Sequence, residues 1–294
     1  MGRIPQWRRT VVALLTVLAA GCTTPETTEQ LPICPGKGSA EEALAVLSSR
    51  AAKAVPLQVR GGQVRLTYFV PDDDEAKRHN LPMQLWFHPP SQMYIQGSIA
   101  VDSKALIVGC NEEEFWLALR PKEMSAYYWG QWDETANVDG LIVSPQIVLE
   151  AFGIIAGNGG GASTSTWSLA NEGPYDVLTL TSGDGQIRKR IHIYTCDYLV
   201  RKIEYFDREG KMAATAELED YEAVVEGFEV PTKMLVTAIG PDGRADVADI
   251  KLNSLKEKAL SEVARQSVFA RDPNGMDRFE KVYRYKDGKW TTER

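Results

Sequence analysis

Three histidines, 40 carboxylates and four cysteines are the groups in this chain whose chemistry could be put to use. His79, His88 and His192 stand far apart in sequence, and no H-E-x-x-H or G-x-S-x-G run supplies a metal or nucleophile partner for any of them. The densest carboxylates, Asp72 to Glu75 and Glu112 to Glu114, fall in stretches that read as solvated loops. Gly157-x-Gly159-x-x-Ala162 matches a dinucleotide fingerprint loosely. That motif must follow a strand and open a helix, whereas this one follows a helical stretch and opens a Ser/Thr run. The expectation is a non-enzymatic protein with no catalytic residue, no cofactor and no metal.

Cys22 is different, because of what precedes it. Arg3, Arg8 and Arg9 lead into an apolar run, Val11 to Ala20, broken only by Thr16 and closed by Leu18-Ala19-Ala20-Gly21-Cys22. A positive, then apolar, then small-residue order is that of a secretory leader, and the run is shorter than the ~20 residues a membrane-crossing helix needs. Leu-Ala-Ala-Gly-Cys resembles the lipobox of bacterial lipoproteins. That resemblance implies cleavage before Cys22, a diacylglycerol thioether on its sulfur and an anchored protein facing the periplasm. The residue after the cysteine is Thr23 rather than an inner-membrane-retaining Asp, which favours the outer membrane. The chain then divides into a leader (1–21), a polar tether (22–38) and one body (39–294).

Charge narrows the partners. Without the three leader arginines, the 33 basic residues fall to 30 against 40 acidic ones, a net of −10. An acidic surface argues against nucleic acid and against electrostatic docking on anionic lipid. Attachment to a membrane must therefore come from acyl chains, at about 0.8 kcal/mol per buried methylene.

In the body, Ser39-Ala40-Glu41-Glu42 is a capping box, and apolar residues at helical spacing predict a helix over 40–54, stopped by Pro56. From Val59 the period becomes two. Val59–Tyr68, Met83–His88, Gln92–Ile99, Ala105–Gly109, Phe115–Arg120 and Ser125–Trp132 read as strands, with Gly61-Gly62 a bend or bulge and the charged run 71–80 a loop. Ser144-Pro145 opens a short, very apolar helix to Ile155, followed by the glycine run 157–161. Strands resume at Trp167, Tyr175–Thr181, Gln186–Tyr194, Leu199–Asp207, Lys211–Tyr221, Val230–Ile239 and Ala245–Leu255, and a last helix is expected near 257–266. About a dozen strands joined by short turns must be antiparallel neighbours. The expected fold is mainly β: an open antiparallel barrel or strongly curved sheet, with a few helices covering a hydrophobic cavity.

Adjacent aromatics such as Phe115-Trp116 and Tyr127-Tyr128-Trp129 put large rings on both faces of their strands. Two readings stay open: a core on one face with scattered surface rings on the other, or a sheet with an apolar hollow into which the helix from Pro145 dips. Under the second, Trp116, Ile147 and Phe152 line the hollow. Cys34, Cys110 and Cys196 are an odd set for an oxidising compartment. Hairpins counted end to end put the turns of Cys110 and Cys196 at opposite ends of the sheet, some ~20 Å apart for a six-residue strand. The first helix must run back along the first strand, so a bridge, if formed, joins Cys34 to Cys196.

The order of these parts resembles the LolA/LolB-type lipoprotein carriers and receptors. It runs from a lipobox and amphipathic helix through Ala105-Leu106-Ile107-Val108-Gly109 and Phe115-Trp116-Leu117. The apolar helix at Ser144-Pro145 follows, then Leu199-Val200-Arg201-Lys202-Ile203-Glu204-Tyr205-Phe206-Asp207. The likeness implies an open β-barrel whose helices close a cavity for acyl chains, with lipid or the acyl chains of lipoproteins as partners and a place in lipoprotein sorting. The rival expectation is a structural or protein-interaction lipoprotein with a filled barrel and no ligand.

Overall fold

The two-residue alternation sets up a sheet that buries one face almost completely. In the computed structural model the chain is described over residues 31–69, 74–100, 102–120, 125–132, 143–154, 165–240, 242–286 and 289–294. The leader, Cys22, the tether as far as residue 30 and the glycine run 157–161 lie outside those residues.

The elements are, in order, α1 (Ala40–Ala51), β1 (Leu57–Phe69), β2 (Ala76–His88), β3 (Gln92–Ile99), β4 (Asp102–Cys110), β5 (Glu114–Leu119), β6 (Ala126–Gln131) and α2 (Pro145–Ala151). Then come β7 (Thr166–Glu172), β8 (Tyr175–Thr181), β9 (Ile187–Tyr194), β10 (Val200–Phe206), β11 (Met212–Val225), β12 (Phe228–Ile239), β13 (Ala245–Lys251) and β14 (Leu255–Glu257). The chain ends with α3 (Glu262–Val268), a 3-10 turn (Pro273–Arg278), β15 (Lys281–Lys286) and β16 (Lys289–Thr292).

All sixteen described strands belong to one curved, unclosed sheet, ordered β16-β15-β6-β5-β4-β3-β2-β1-β13-β12-β11-β10-β9-β8-β7, with β14 also against β1. Every pairing is antiparallel except that of β15 with β6. The register of β1 against β2 shifts between Val59 and Gly62, at the glycine pair read as a bulge.

On the inner face Leu57, Val59, Val64, Leu66 and Tyr68 of β1 meet Leu81, Leu85 and Phe87 of β2, Met93 and Ile95 of β3, and the apolar sides of α1 and α2 in one continuous core. The curl shows in α2, which touches β4 and β5 and also β11 and β12. β4 and β12 lie five strand steps apart, roughly 24 Å along a flat sheet at ~4.8 Å per step. A helix about 10–12 Å across can reach both only if the sheet wraps around it.

Three expectations need correction. The charged stretch 76–80 is strand, not loop: Ala76 to Asn80 pair with Phe69 to Arg65 in a long β1–β2 hairpin. Charge there reflects side chains turned to water along a half-exposed ribbon, and His79 stacks on Tyr68 at 5.7 Å between centroids. The α2 helix stops at Ala151 rather than Ile155, with Phe152 as C-cap and Gly153 at φ +79°, a left-handed step that ends helices and suits glycine. The last helix sits at 262–268, and the tail beyond it adds β15 and β16.

Candidate functional site: the two faces of the sheet

α2 is the most buried helix among the described residues. Pro145, Ile147, Val148, Leu149, Glu150 and Ala151 are all buried, and Phe152 meets the ring of Phe87 edge-on at 5.4 Å. Ile147 and Phe152 therefore share the inner core, as a lining role requires. The space they leave is small. A hollow of about 30 Å³ between α1 and α2, bordered by Leu47, Phe152, Val200, Tyr221 and Phe228, has room for a water or two and no more.

One charged residue of α2 is carried into this core. Glu150 Oε1 receives the Lys189 ammonium of β9 at 2.5 Å and the Gln146 amide at 2.8 Å, while Oε2 accepts from the Tyr205 hydroxyl of β10 at 2.8 Å. Both carboxylate oxygens are thus satisfied, which is what makes a buried ion tolerable. Burial first, then the charge and hydrogen bond of Glu150, drive the Tyr205 phenol well above its usual pKa, so it stays a donor. This latch was missed in the sequence, where its signal was a lone Glu inside Pro-Gln-Ile-Val-Leu-Glu-Ala-Phe.

The segment before α1 is stapled to the far end of the same face. Cys34 and Cys196 form a disulfide with Cα atoms 5.0 Å apart, and Cys110 is free and buried on β4. Burial pushes the Cys110 thiol far up, away from thiolate chemistry. Asp176, fully buried, accepts from the Lys37 amide at 2.8 Å, the Asn171 side chain at 2.7 Å and the Tyr198 hydroxyl at 3.1 Å. The part of the expected tether that is described is therefore held against β8 and the β9–β10 turn.

Trp116 does not join Ile147 and Phe152. Along β5, Phe115, Leu117 and Leu119 face the inner core, so strict alternation turns Trp116 and Ala118 to the opposite face. There Trp116 packs with Tyr127, Phe279 and Val282 in a second, smaller core. Its ring lies flat over Gly109, where a Cβ would come within 2.3 Å of it, so only glycine admits the approach. The residues covering this outer core belong to the C-terminal crossover from β14 to β15. Arg271 and Arg284 lie over the Trp129 ring at 4.1 and 4.6 Å, and Arg271 also pairs with Glu114 at 2.7 Å.

Between crossover and sheet remains a groove of about 320 Å³, floored by Trp86, Tyr94, Ile107 and Trp116. It reaches the range of ligand pockets, roughly 300–1,000 Å³, which the inner hollow does not. Among the described residues no group of three His, Cys, Asp or Glu could hold a metal ion.

Solved structures share this fold over most of their own length. One, a DUF1329 family protein from Desulfovibrio piger, matches at 11% identity over 78% of this chain and 98% of its own, with a TM-score of 0.53. Another, a domain from Vibrio parahaemolyticus assigned to outer membrane lipoprotein sorting, matches at 11% identity over 77% of this chain and 97% of its own, with a TM-score of 0.52. A LolA superfamily protein from Nitrosomonas europaea matches at 13% identity over 78% and 97%, with a TM-score of 0.48. The fold is shared with the first two of these structures. At these identities the likeness concerns the fold alone, and neither a family model nor a curated protein sequence matches the chain.

Proposed function

We propose that this LolA-like chain is a non-enzymatic envelope lipoprotein, anchored through Cys22, that takes an acyl chain into the curl of its sheet. In this reading α2 occupies the acyl space when no cargo is held. The observation that carries it is the position of α2, inside the curl and touching strands on both of its sides. Ile147, Val148, Leu149 and Phe152 then fill the place of cargo.

The exchange is energetically feasible. Exposing those four side chains costs ~1.5–3 kcal/mol each, roughly 6–12 in all. Burying an acyl chain of about 14 methylenes at ~0.8 kcal/mol each returns roughly 11 kcal/mol. Glu150 regains water as the helix leaves, but Lys189 stays on the inner face of β9, so parting the pair adds to the cost of opening. Cargo and plug are therefore near balance, as a carrier that must also release requires. The Cys34–Cys196 bridge supports an oxidising compartment. Thr23 after the lipobox cysteine supports the outer membrane as the final site, facing the periplasm. The partners in this reading are lipid or the acyl chains of lipoproteins, and the role is in their sorting.

The 30 Å³ hollow favours a second reading, a structural or protein-interaction lipoprotein whose filled barrel takes no ligand. A fluorescent fatty-acid titration alongside thermal melting separates the two. A carrier binds the probe, and Phe152→Glu weakens binding because a carboxylate facing hydrocarbon is costly to desolvate. No binding by the wild-type protein, together with a large melting loss in the variant, would leave only the structural reading.

A further inference from the structure

The outer groove differs from the inner core in charge as well as in room. Its floor is aromatic and apolar, through Trp86, Tyr94, Ile107 and Trp116. At one end three cations gather around a single carboxylate. Arg120 pairs with Asp102 at 3.1 Å, Lys104 lies two residues from Asp102 on the same strand, and the Arg278 charge acts on the same carboxyl. All three cations line the groove. Among the described residues neither the Lys104 ammonium nor the Arg278 guanidinium has a hydrogen-bonding partner, and the buried Nε of Arg120 donates to nothing. A local excess of positive charge also runs against the acidic balance of the whole chain. Among the described residues the acid on the lining itself is Asp272, whose charge acts on Tyr127.

We propose that this groove, on the face of the sheet opposite α2, binds a single-chain anionic amphiphile. Its apolar body lies along Trp86, Ile107 and Trp116, and its acidic group meets Lys104, Arg120 and Arg278. The charge pattern selects this occupant: a neutral chain leaves the cations unanswered, and a fully hydrophilic anion leaves the aromatic floor in water. The acidic group is a carboxylate or a phosphate, since both offer oxygens for the guanidinium fork. The site is separate from the acyl space under α2 and does not depend on it.

Calorimetric titration of the mature chain, carrying Cys22→Ser to keep it out of membranes, tests this. The probes are dodecanoate, dodecyl phosphate and dodecanol, each below its micelle concentration. Both anions are expected to bind, with dodecanol about tenfold weaker or worse, the size expected when a charge-assisted hydrogen bond is lost. Lys104→Glu with Arg278→Glu, both at exposed positions, should cut the affinity for the anions by about tenfold or more and leave the melting temperature unchanged. The ranking of the two anions then tells a fatty acid from a phosphorylated amphiphile. Phe152→Glu changes the inner core and not the groove, so at a temperature where the variant is folded it should leave anion binding in the groove intact. The proposal fails if the charge-reversed protein binds the anions as tightly as wild type, if dodecanol binds equally well, or if the folded wild type binds neither anion. Loss of binding in Phe152→Glu alone would place the amphiphile under α2 and overturn the groove.

Discussion

The same strands build two faces that solve opposite problems. The inner face packs around α2 and α1, with a hollow of about 30 Å³ between the two helices, and it buries an ion pair. The outer face is covered near β4 and β5 by the crossover from β14 to β15, which leaves a groove of about 320 Å³ open. Curvature explains the contrast. Side chains on the inside of a curl converge and fill it, so a helix placed there is surrounded. On the outside they diverge, and a thin strap of chain cannot cover them all. In this molecule the described concave side is packed around α2, while the convex side keeps the groove.

The sharpest way to break that contrast is at the latch. Glu150→Ala leaves the Lys189 ammonium buried beneath α2 without a counter-charge, and removing one partner of a buried pair typically costs ~3–5 kcal/mol. Urea unfolding should show that loss. The paired change Glu150→Leu with Lys189→Met should recover most of that loss, because no ion is then buried and, of the buried partners, only the Tyr205 hydroxyl is left without its acceptor. Equal destabilisation by the single and double variants would mean that shape, not charge, holds α2 in place.

A smaller effect probes the outer face. Gly109→Ala puts a methyl group where the Trp116 ring lies, 2.3 Å from the nearest ring atom. Overpacking of this kind costs ~1–3 kcal/mol. The ring must lift toward the groove, so the change should also alter near-ultraviolet circular dichroism. An unchanged spectrum with unchanged stability would show that Trp116 is not seated over Gly109.

How much of this was legible in the sequence differs between the two faces. The inner face is written in local pattern: period-two strands, a capped amphipathic α1, and an α2 apolar around most of its surface. Ile147 and Phe152 follow from that pattern, and their shared core is where the structure puts them. Trp116 could not be assigned, because alternation says only that Phe115 and Trp116 face opposite ways. Which of them looks inward depends on which side the chain curls, a property of the whole sheet. The latch was hidden for a related reason. A glutamate on an apolar helix reads as solvent-facing until Lys189 and Tyr205, far along the chain, are known to lie opposite it. The outer groove depends on a tail whose strands, β15 and β16, are short and whose 3-10 turn has no periodicity to read. Its one parallel pairing, β15 with β6, joins segments about 150 residues apart, and no turn signal links them.

The smallest effect separates the ion pairs of the two faces within a single pair of strands. On β9 and β10 the inner positions carry Lys189 and Tyr205, bonded to Glu150. The outer positions carry His192, Lys202 and Glu204. Glu204 lies 2.7 Å from the Lys202 ammonium and 3.3 Å from His192 Nε2. Burial alone would raise its carboxyl, but the hydrogen bonds and charges of Lys202 and His192 outweigh burial and hold it below the usual carboxylate value. A depressed carboxyl contributes stability that is fully present above the unfolded pKa of about 4.3 and is lost as pH falls through the lower folded value. Glu204→Gln should remove that acid-side loss, so the variant's stability changes less with pH below about 4.3 than that of wild type. At neutral pH the cost should stay at or under about 1 kcal/mol, because Lys202 is about a third exposed even though Glu204 itself is buried. Chemical denaturation at pH 7 and at pH 3.5 measures both numbers. A neutral-pH loss as large as that of Glu150→Ala would mean that the outer face is as dry as the inner one, and the contrast between them would no longer hold.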